Sequence, residues 1–321
     1  MIKDLIKWAW GFPLRAYTVM EVRTGFATGL PVLSGGLFGS YLAGELKVIP
    51  LVFFFICGFA FNIVANVANE IRAFLKNEEN ELTFTEHLGS EGLVRGDATL
   101  IDAILVLLGM MGLGGLSGLL LAWWAHSWLL VILGLCGLLA AVTYSLGPKP
   151  YILYPVGEFV SGLFVGGLSA LLSSWLQLGH LTLSIFAYAW ISMVLTIFLM
   201  STNNTGDYDK DLGIRRTFPH VIGFRRSILI IIPEFITVVI AWLIVSLTSL
   251  PWWLFFLGCG IFYLQGYRRW YRDYVKIQAV YPAMGREFGP RPLLLIYHFH
   301  TVMSVCFIIL LLINQGVVTW L

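Results

Sequence analysis

Charge is scarce in this chain. Of 321 residues only 12% are Asp, Glu, Lys or Arg, while 58% are hydrophobic. A soluble domain carries about twice that charge, so a water-exposed globule is excluded and lipid is the natural solvent. Cysteine is scarce too. Cys57, Cys136, Cys259 and Cys306 each fall in a different apolar run, and no two have metal-ligand spacing, which leaves them as small packing residues. Short strands of alternating polarity are missing, which excludes a membrane barrel. The start, "MIKDLIKWAWGFPLRAY", has neither a long apolar core nor a small-residue cleavage site, so it does not read as a signal peptide. A formal net charge of +2 gives no sign of a nucleic-acid partner.

What is present is apolar length. A helix needs roughly 20 apolar residues to cross a ~30 Å hydrocarbon core. Runs of that kind lie near 24–45, 49–71, 99–123, 127–147, 153–175, 181–203, 227–248, 250–267 and 294–318. They predict an all-α, polytopic membrane protein: nine transmembrane helices in one domain, bundled around a central cavity that opens to the cytoplasmic side. With nine spans, every Lys and Arg except Lys47 falls on one side. The positive-inside rule then puts the N-terminus in the cytoplasm and the C-terminus outside, in the plasma membrane if the cell is bacterial. Trp123, Trp124, Trp128, Trp252, Trp253 and Trp320 mark the opposite interface. Residues 1–20 read as an amphipathic helix lying on the cytoplasmic interface, with Trp8 and Trp10 as anchors.

The polar chemistry is concentrated in three long cytoplasmic connections, about 72–98, 204–226 and 268–293. Two segments echo one another. "FNIVANVANEIRAFLKNEENE" spaces Asn62, Asn66 and Glu70 by four, and "MSTNNTGDYDKDLGIRR" spaces Asn203, Asp207 and Asp211 likewise. On a helix such residues share a face. A stripe of oxygen ligands facing lipid is costly, so both are expected to face one enclosed, wet cavity. Carboxylate and amide oxygens are hard ligands that suit Mg²⁺, which is commonly shared with substrate phosphates. Arg72 and Lys76 follow the first stripe; Lys210, Arg215 and Arg216 follow the second. Arginine grips phosphate oxygens in pairs. The pattern predicts an acid–metal–diphosphate site. A diphosphate held beneath a membrane cavity suggests a lipid diphosphate, with Phe, Tyr and Trp faces to stabilise a carbocation.

These features resemble the UbiA superfamily of intramembrane prenyltransferases. "NNTGDYDKDLGIRRT" is similar to the family's second motif, with Asp207 and Asp211 matching residue for residue. "YSLGPKPYILYPVGEFVSGLFVGG" (144–167) resembles the dihydroxynaphthoate, menaquinone-pathway branch. The first motif departs: the family's Asn-Asp-x-x-Asp reads Asn69-Glu70-Ile71-Arg72-Ala73 here. Asn66 and Asn69 remain, and Glu78 or Glu79 stands one or two turns on. A Gly-Pro-Ser-Arg stretch of that branch reads "GSEG" (89–92), without the Arg. The resemblance implies Mg²⁺-dependent transfer of a prenyl group from a prenyl diphosphate to a small aromatic acceptor. Asn66, Glu70, Asp207 and Asp211 would hold the metal, with Asp207, Asp211 and Glu70 the catalytic acids. Asn69, Asn203, Arg72, Lys76, Lys149, Lys210, Arg215 and Arg216 would bind substrate, and Tyr144 and Tyr151 would flank the acceptor. An acceptor-free terpene cyclase is the alternative, and a non-catalytic transporter or scaffold ranks behind both.

Several residues keep two readings. Glu158 and Glu234 are ionisable groups inside predicted spans, each serving either the site or a structural pairing. Lys149, in the rigid "GPKPY" connection, either reaches the diphosphate or only sets topology. His298 and His300 diverge on a helix and make no metal pair. The basic, aromatic "GYRRWYRDYVK" (266–276) suits an anionic lipid surface.

Overall fold

In the computed structural model, residues 2–78, 91–272 and 291–314 are described, with side chains from Trp10 onward and none at Arg291. Every regular element among them is helical. They are α1 (Ile2–Met20), α2 (Val22–Ala43), α3 (Val48–Lys76), α4 (Leu100–Trp124), α5 (Trp128–Ser145), α6 (Gly157–Leu178), α7 (Leu183–Gly206), α8 (Phe218–Ile222), α9 (Phe224–Ser249), α10 (Trp252–Ile261) and α11 (Arg291–Asn314). Eight of these, α2–α7, α9 and α11, are long and apolar enough to cross a membrane. The chain is an integral, polytopic α-helical membrane protein. The eighth expected span, 250–267, is helical as α10 and runs on through a π-helical turn at Phe262–Tyr267, but it is not one of those eight helices. Its apolar run is diluted by Gln265 and the Arg268–Arg269 pair.

The chain forms two compact units, Met1–Phe26 with Ile56–Tyr151 and Ala27–Phe55 with Ile152–Leu321. In the first, Ala16 and Val19 of α1 pack with Ile63, Val67 and Ile71 of α3 and Ala103 and Val106 of α4. The opposite face of α1 carries Trp10, 84% exposed, and Leu14, 74% exposed. The helix is also fastened at one point: Arg15 donates to both carboxylate oxygens of the fully buried Asp102, from Nε at 3.0 Å and Nη2 at 3.2 Å. Asp102 in turn closes a capping box with Thr99 at the start of α4.

In the second unit the core is aromatic. Phe38, Tyr188, Trp242, Phe299 and Phe307 are completely buried, and the Trp242 indole N–H donates to the Phe255 carbonyl at 3.2 Å. A Cβ at Gly166 would collide with the Ser192 carbonyl oxygen, so glycine is what allows α6 to lie against α7. There α6 widens into a π-helical stretch, Gly162–Leu168. Lys47, the exception to the charge asymmetry, is consumed structurally. Its Nζ donates to the Gln177 carbonyl and its backbone N–H to Gln177 Oε1, both at 2.8 Å.

Candidate functional site

The first stripe lies on α3, within the first unit. Asn66 Nδ2 donates to Asn62 Oδ1 at 3.3 Å, as neighbours on one helix face do, and also to Thr24 Oγ1. Asn69 Oδ1 accepts from Ser145 Oγ at 3.2 Å. Glu70 is only 7% exposed, and its Oε1 accepts the backbone N–H of Leu93 at 2.8 Å. Arg72 Nη2 meets Glu78 Oε1 at 2.6 Å in a nearly buried pair. So Arg72 and Glu78 neutralise each other here. Ala73, at the position of the family's second acid, is 1% exposed and packs in the interior. Lys76 is exposed. Glu79, Gly89 and Ser90 lie outside the described residues.

Tyr144 and Tyr151, also in the first unit, meet edge to face with ring centroids 5.1 Å apart. The Tyr151 hydroxyl donates to the Ala140 carbonyl at 2.8 Å, and burial pushes its phenol above the usual tyrosine range. Lys149 is exposed between them.

The second stripe is built by the end of α7, within the second unit. The helix stops at Gly206, yet its four-residue ladder continues in turns. Asp207 N–H donates to Asn203 O at 2.9 Å, Asp211 N–H to Asp207 O at 2.9 Å, and Arg215 N–H to Asp211 O at 3.0 Å. The ladder stacks the side chains of Asn203, Asp207 and Asp211 as the sequence spacing predicts. Gly213, at φ +83°, then supplies the left-handed residue that turns the chain. Asn203 and Arg216 are exposed, and Asp207 and Lys210 are half-buried. Asp211 is 5% exposed, with Arg215 Nε 3.8 Å from its Oδ1. Burial pushes the Asp211 carboxyl above the usual carboxylate range; Arg215 opposes this and the neighbouring Asp207 adds to it. Such a carboxylate gains from a bound cation.

Sequence reasoning missed the frame around this loop. Asn204 Nδ2 donates to Glu158 Oε1 at 2.6 Å, and the Phe218 N–H reaches the same oxygen at 3.1 Å. Arg216 N–H donates to the Leu153 carbonyl at 3.1 Å. His220 stacks on Tyr208, with centroids 4.5 Å apart, and bonds its carbonyl through Nε2 at 2.9 Å. Glu158 was visible only as an acid in an apolar run; Tyr208 and His220 carried no spacing signal at all. Glu234 lies near Ser201, whose hydroxyl is 3.5 Å from its Oε1.

Among the described residues no cluster of three or more His, Cys, Asp or Glu side chains is gathered as a metal cage. The donors that are present, carboxylate and amide oxygens, are hard ligands of the kind that suit a divalent cation such as Mg²⁺.

At 25% identity over 231 residues, covering 70% of this chain and 72% of the other, the chain is similar to the 1,4-dihydroxy-2-naphthoate octaprenyltransferase of Bacillus subtilis (strain 168). Its fold is similar to that of a UbiA homolog from Archaeoglobus fulgidus bound to GPP and Mg²⁺. The TM-score is 0.64 at 15% identity, over 94% of this chain and 99% of that one. A UbiA homolog from Aeropyrum pernix K1 is similar too, with a TM-score of 0.64 at 14% identity over 88% and 96%. The UbiA prenyltransferase family profile matches residues 29–286, from α2 past the second acidic motif. With the spans, the acidic ladder and this match together, the chain belongs to the UbiA prenyltransferase family.

Proposed function

We propose that this prenyltransferase moves a polyprenyl group from a prenyl diphosphate to a small aromatic acceptor of the dihydroxynaphthoate type. The observation that carries the proposal is the Asn203–Asp207–Asp211–Arg215 ladder, which sets two carboxylates and a guanidinium on consecutive turns. The acceptor class rests on the similarity to the Bacillus subtilis octaprenyltransferase. Mg²⁺ is supported by the oxygen-only donor set here and by the cation bound in the Archaeoglobus fulgidus homolog.

Asp207 and Asp211 would hold the metal, and Glu70 and Asn66 are the candidate metal donors of the first motif. When bound, Mg²⁺ supplies positive charge that stabilises the departing diphosphate. The chain's own cations complete that task. Arg215 and Arg216 follow the second motif, Lys210 lies within it, and Lys149 is exposed on the connection after α5. Arg72 meets Glu78 through Nη2, and its other N–H groups are the ones it would offer to a phosphate oxygen. Asn203 and, on the first motif, Asn69 are the candidate amide partners of the diphosphate. In the overall reaction the allylic C–O bond breaks and diphosphate leaves with the electron pair. A ring carbon of the acceptor forms the new C–C bond, and the ring loses a proton. Tyr144 and Tyr151, packed edge to face on each other, are the candidate aromatic flank for that acceptor.

The test is product analysis. Purified protein is incubated with Mg²⁺ and geranylgeranyl or farnesyl diphosphate, with and without dihydroxynaphthoate. Diphosphate release that requires the acceptor and yields a prenylated ring is the expected result. Release without acceptor, giving a cyclic hydrocarbon, would replace this reading with a terpene cyclase. No consumption of any prenyl diphosphate would overturn both.

A further inference from the structure

Glu158 has no part in the reaction just described, yet it is 4% exposed and stands in the first turn of α6. One of its oxygens, Oε1, accepts from both ends of the second motif. Asn204 Nδ2 reaches it at 2.6 Å from the helical side, ahead of Asp207. The Phe218 backbone N–H reaches it at 3.1 Å from the far side, beyond Arg216. Just upstream of the same helix, the Leu153 carbonyl takes the Arg216 N–H at 3.1 Å. The exit of the loop is locked by His220. The Tyr208 carbonyl can only accept, so Nε2 carries the proton and Nδ1 meets the Thr217 hydroxyl at 2.8 Å.

We propose that Glu158 is a positioning residue for the prenyl-transfer reaction. It closes residues 204–218 into a loop of fixed span, so that Asp207 and Asp211 are presented in the arrangement a divalent cation needs. Stability alone does not account for it. Glu158 Oε2 is buried with no hydrogen-bond partner among the described residues, and a half-satisfied buried carboxylate is a poor stabiliser. What Oε1 does supply is closure. Two donors far apart along the loop are tied to one atom, and the ordering entropy that a free loop would lose on binding metal is lost at folding instead. Groups that orient metal ligands from outside commonly change metal affinity by about 10–100-fold when removed.

The inference rests on the function proposed above, so its test reads metal binding as well as turnover. Mn²⁺ is titrated into the full-length protein, with free Mn²⁺ followed by electron paramagnetic resonance. Mg²⁺ dependence of diphosphate release is measured in parallel with geranylgeranyl diphosphate and dihydroxynaphthoate. In Glu158→Ala, Mn²⁺ affinity should fall about tenfold. The Mg²⁺ needed for half-maximal rate should rise by the same factor, while the rate at saturating Mg²⁺ stays nearly unchanged. Glu158→Gln keeps an accepting oxygen for both donors and should stay near wild type in each. A folded Glu158→Ala protein with unchanged Mn²⁺ affinity overturns the inference. If that variant does not fold, Asn204→Ala removes one of the two ties and should still weaken Mn²⁺; no shift there overturns it equally. Should wild type bind Mn²⁺ but leave every prenyl diphosphate intact, the catalytic reading falls, while an Mn²⁺ shift in the variants still supports the clip.

Discussion

The two acidic segments share one spacing and are built in opposite ways. On α3 the polar groups are drawn into the fabric of their own unit: Asn66 to Thr24, Asn69 to Ser145, Glu70 to the Leu93 amide, Arg72 to Glu78. Beyond α7 the spacing is held by backbone instead. There the Asp207 side chain has no hydrogen-bond partner among the described residues, and Asp211 pairs with Arg215 Nε at 3.8 Å. A four-residue period therefore records which side chains share a face; it does not record whether that face is already spent. The second segment leaves the Asp207 carboxylate without a hydrogen-bond partner among the described residues, and the first has committed many of its polar groups.

The largest effect should follow from breaking the side of the comparison that is free. Asp207→Ala and Asp211→Ala should each lower kcat/KM for prenyl transfer by about a thousandfold, or ~4 kcal/mol of transition-state stabilisation. Thermal stability should be unchanged or slightly higher in Asp211→Ala, because that carboxylate is held against its preference for water. Turnover in detergent or nanodiscs and a melting curve on the same sample decide it. Near-normal turnover in both variants would remove the second motif from the site.

Next in size is a change on the committed side. Arg72→Ala leaves Glu78 without the guanidinium it meets in a nearly buried pair, and losing one member of such a pair costs about 3 kcal/mol. The melting temperature should drop, and Arg72→Ala/Glu78→Ala should recover much of it. If instead stability holds while KM for the prenyl diphosphate rises, Arg72 serves the substrate and its bond to Glu78 is incidental.

Much of this molecule was legible beforehand because lipid imposes long apolar runs and leaves polar residues few places to go. The second motif was legible for a related reason: its ladder is local, and four-residue spacing predicts it directly. The frame around it was not. Asn204 and Phe218 meet through Glu158, which lies more than forty residues upstream of either, and no periodicity links them. The Arg15–Asp102 fastening of α1 was equally hidden. Ala73 shows the reverse case. Its departure from the family pattern was plain in the sequence, but only the structure shows the position buried, where an acid would have to shed its water.

Glu70 is where the comparison can be made sharpest. Its Oε1 is held by the Leu93 N–H at 2.8 Å, so the residue has a structural duty whatever else it does. Glu70→Gln separates the two duties, because an amide oxygen still accepts from Leu93 while the negative charge is gone. If Glu70 also serves the metal, Glu70→Gln should melt like wild type and lose about a hundredfold in kcat/KM, or ~2.7 kcal/mol. Glu70→Ala should then lose both activity and about 1–3 kcal/mol of stability, since the buried Leu93 amide is left unsatisfied. A Glu70→Gln enzyme with full activity would mean that the first stripe is a strut shaped like a motif. The reaction would then rest on the acids of the second segment alone.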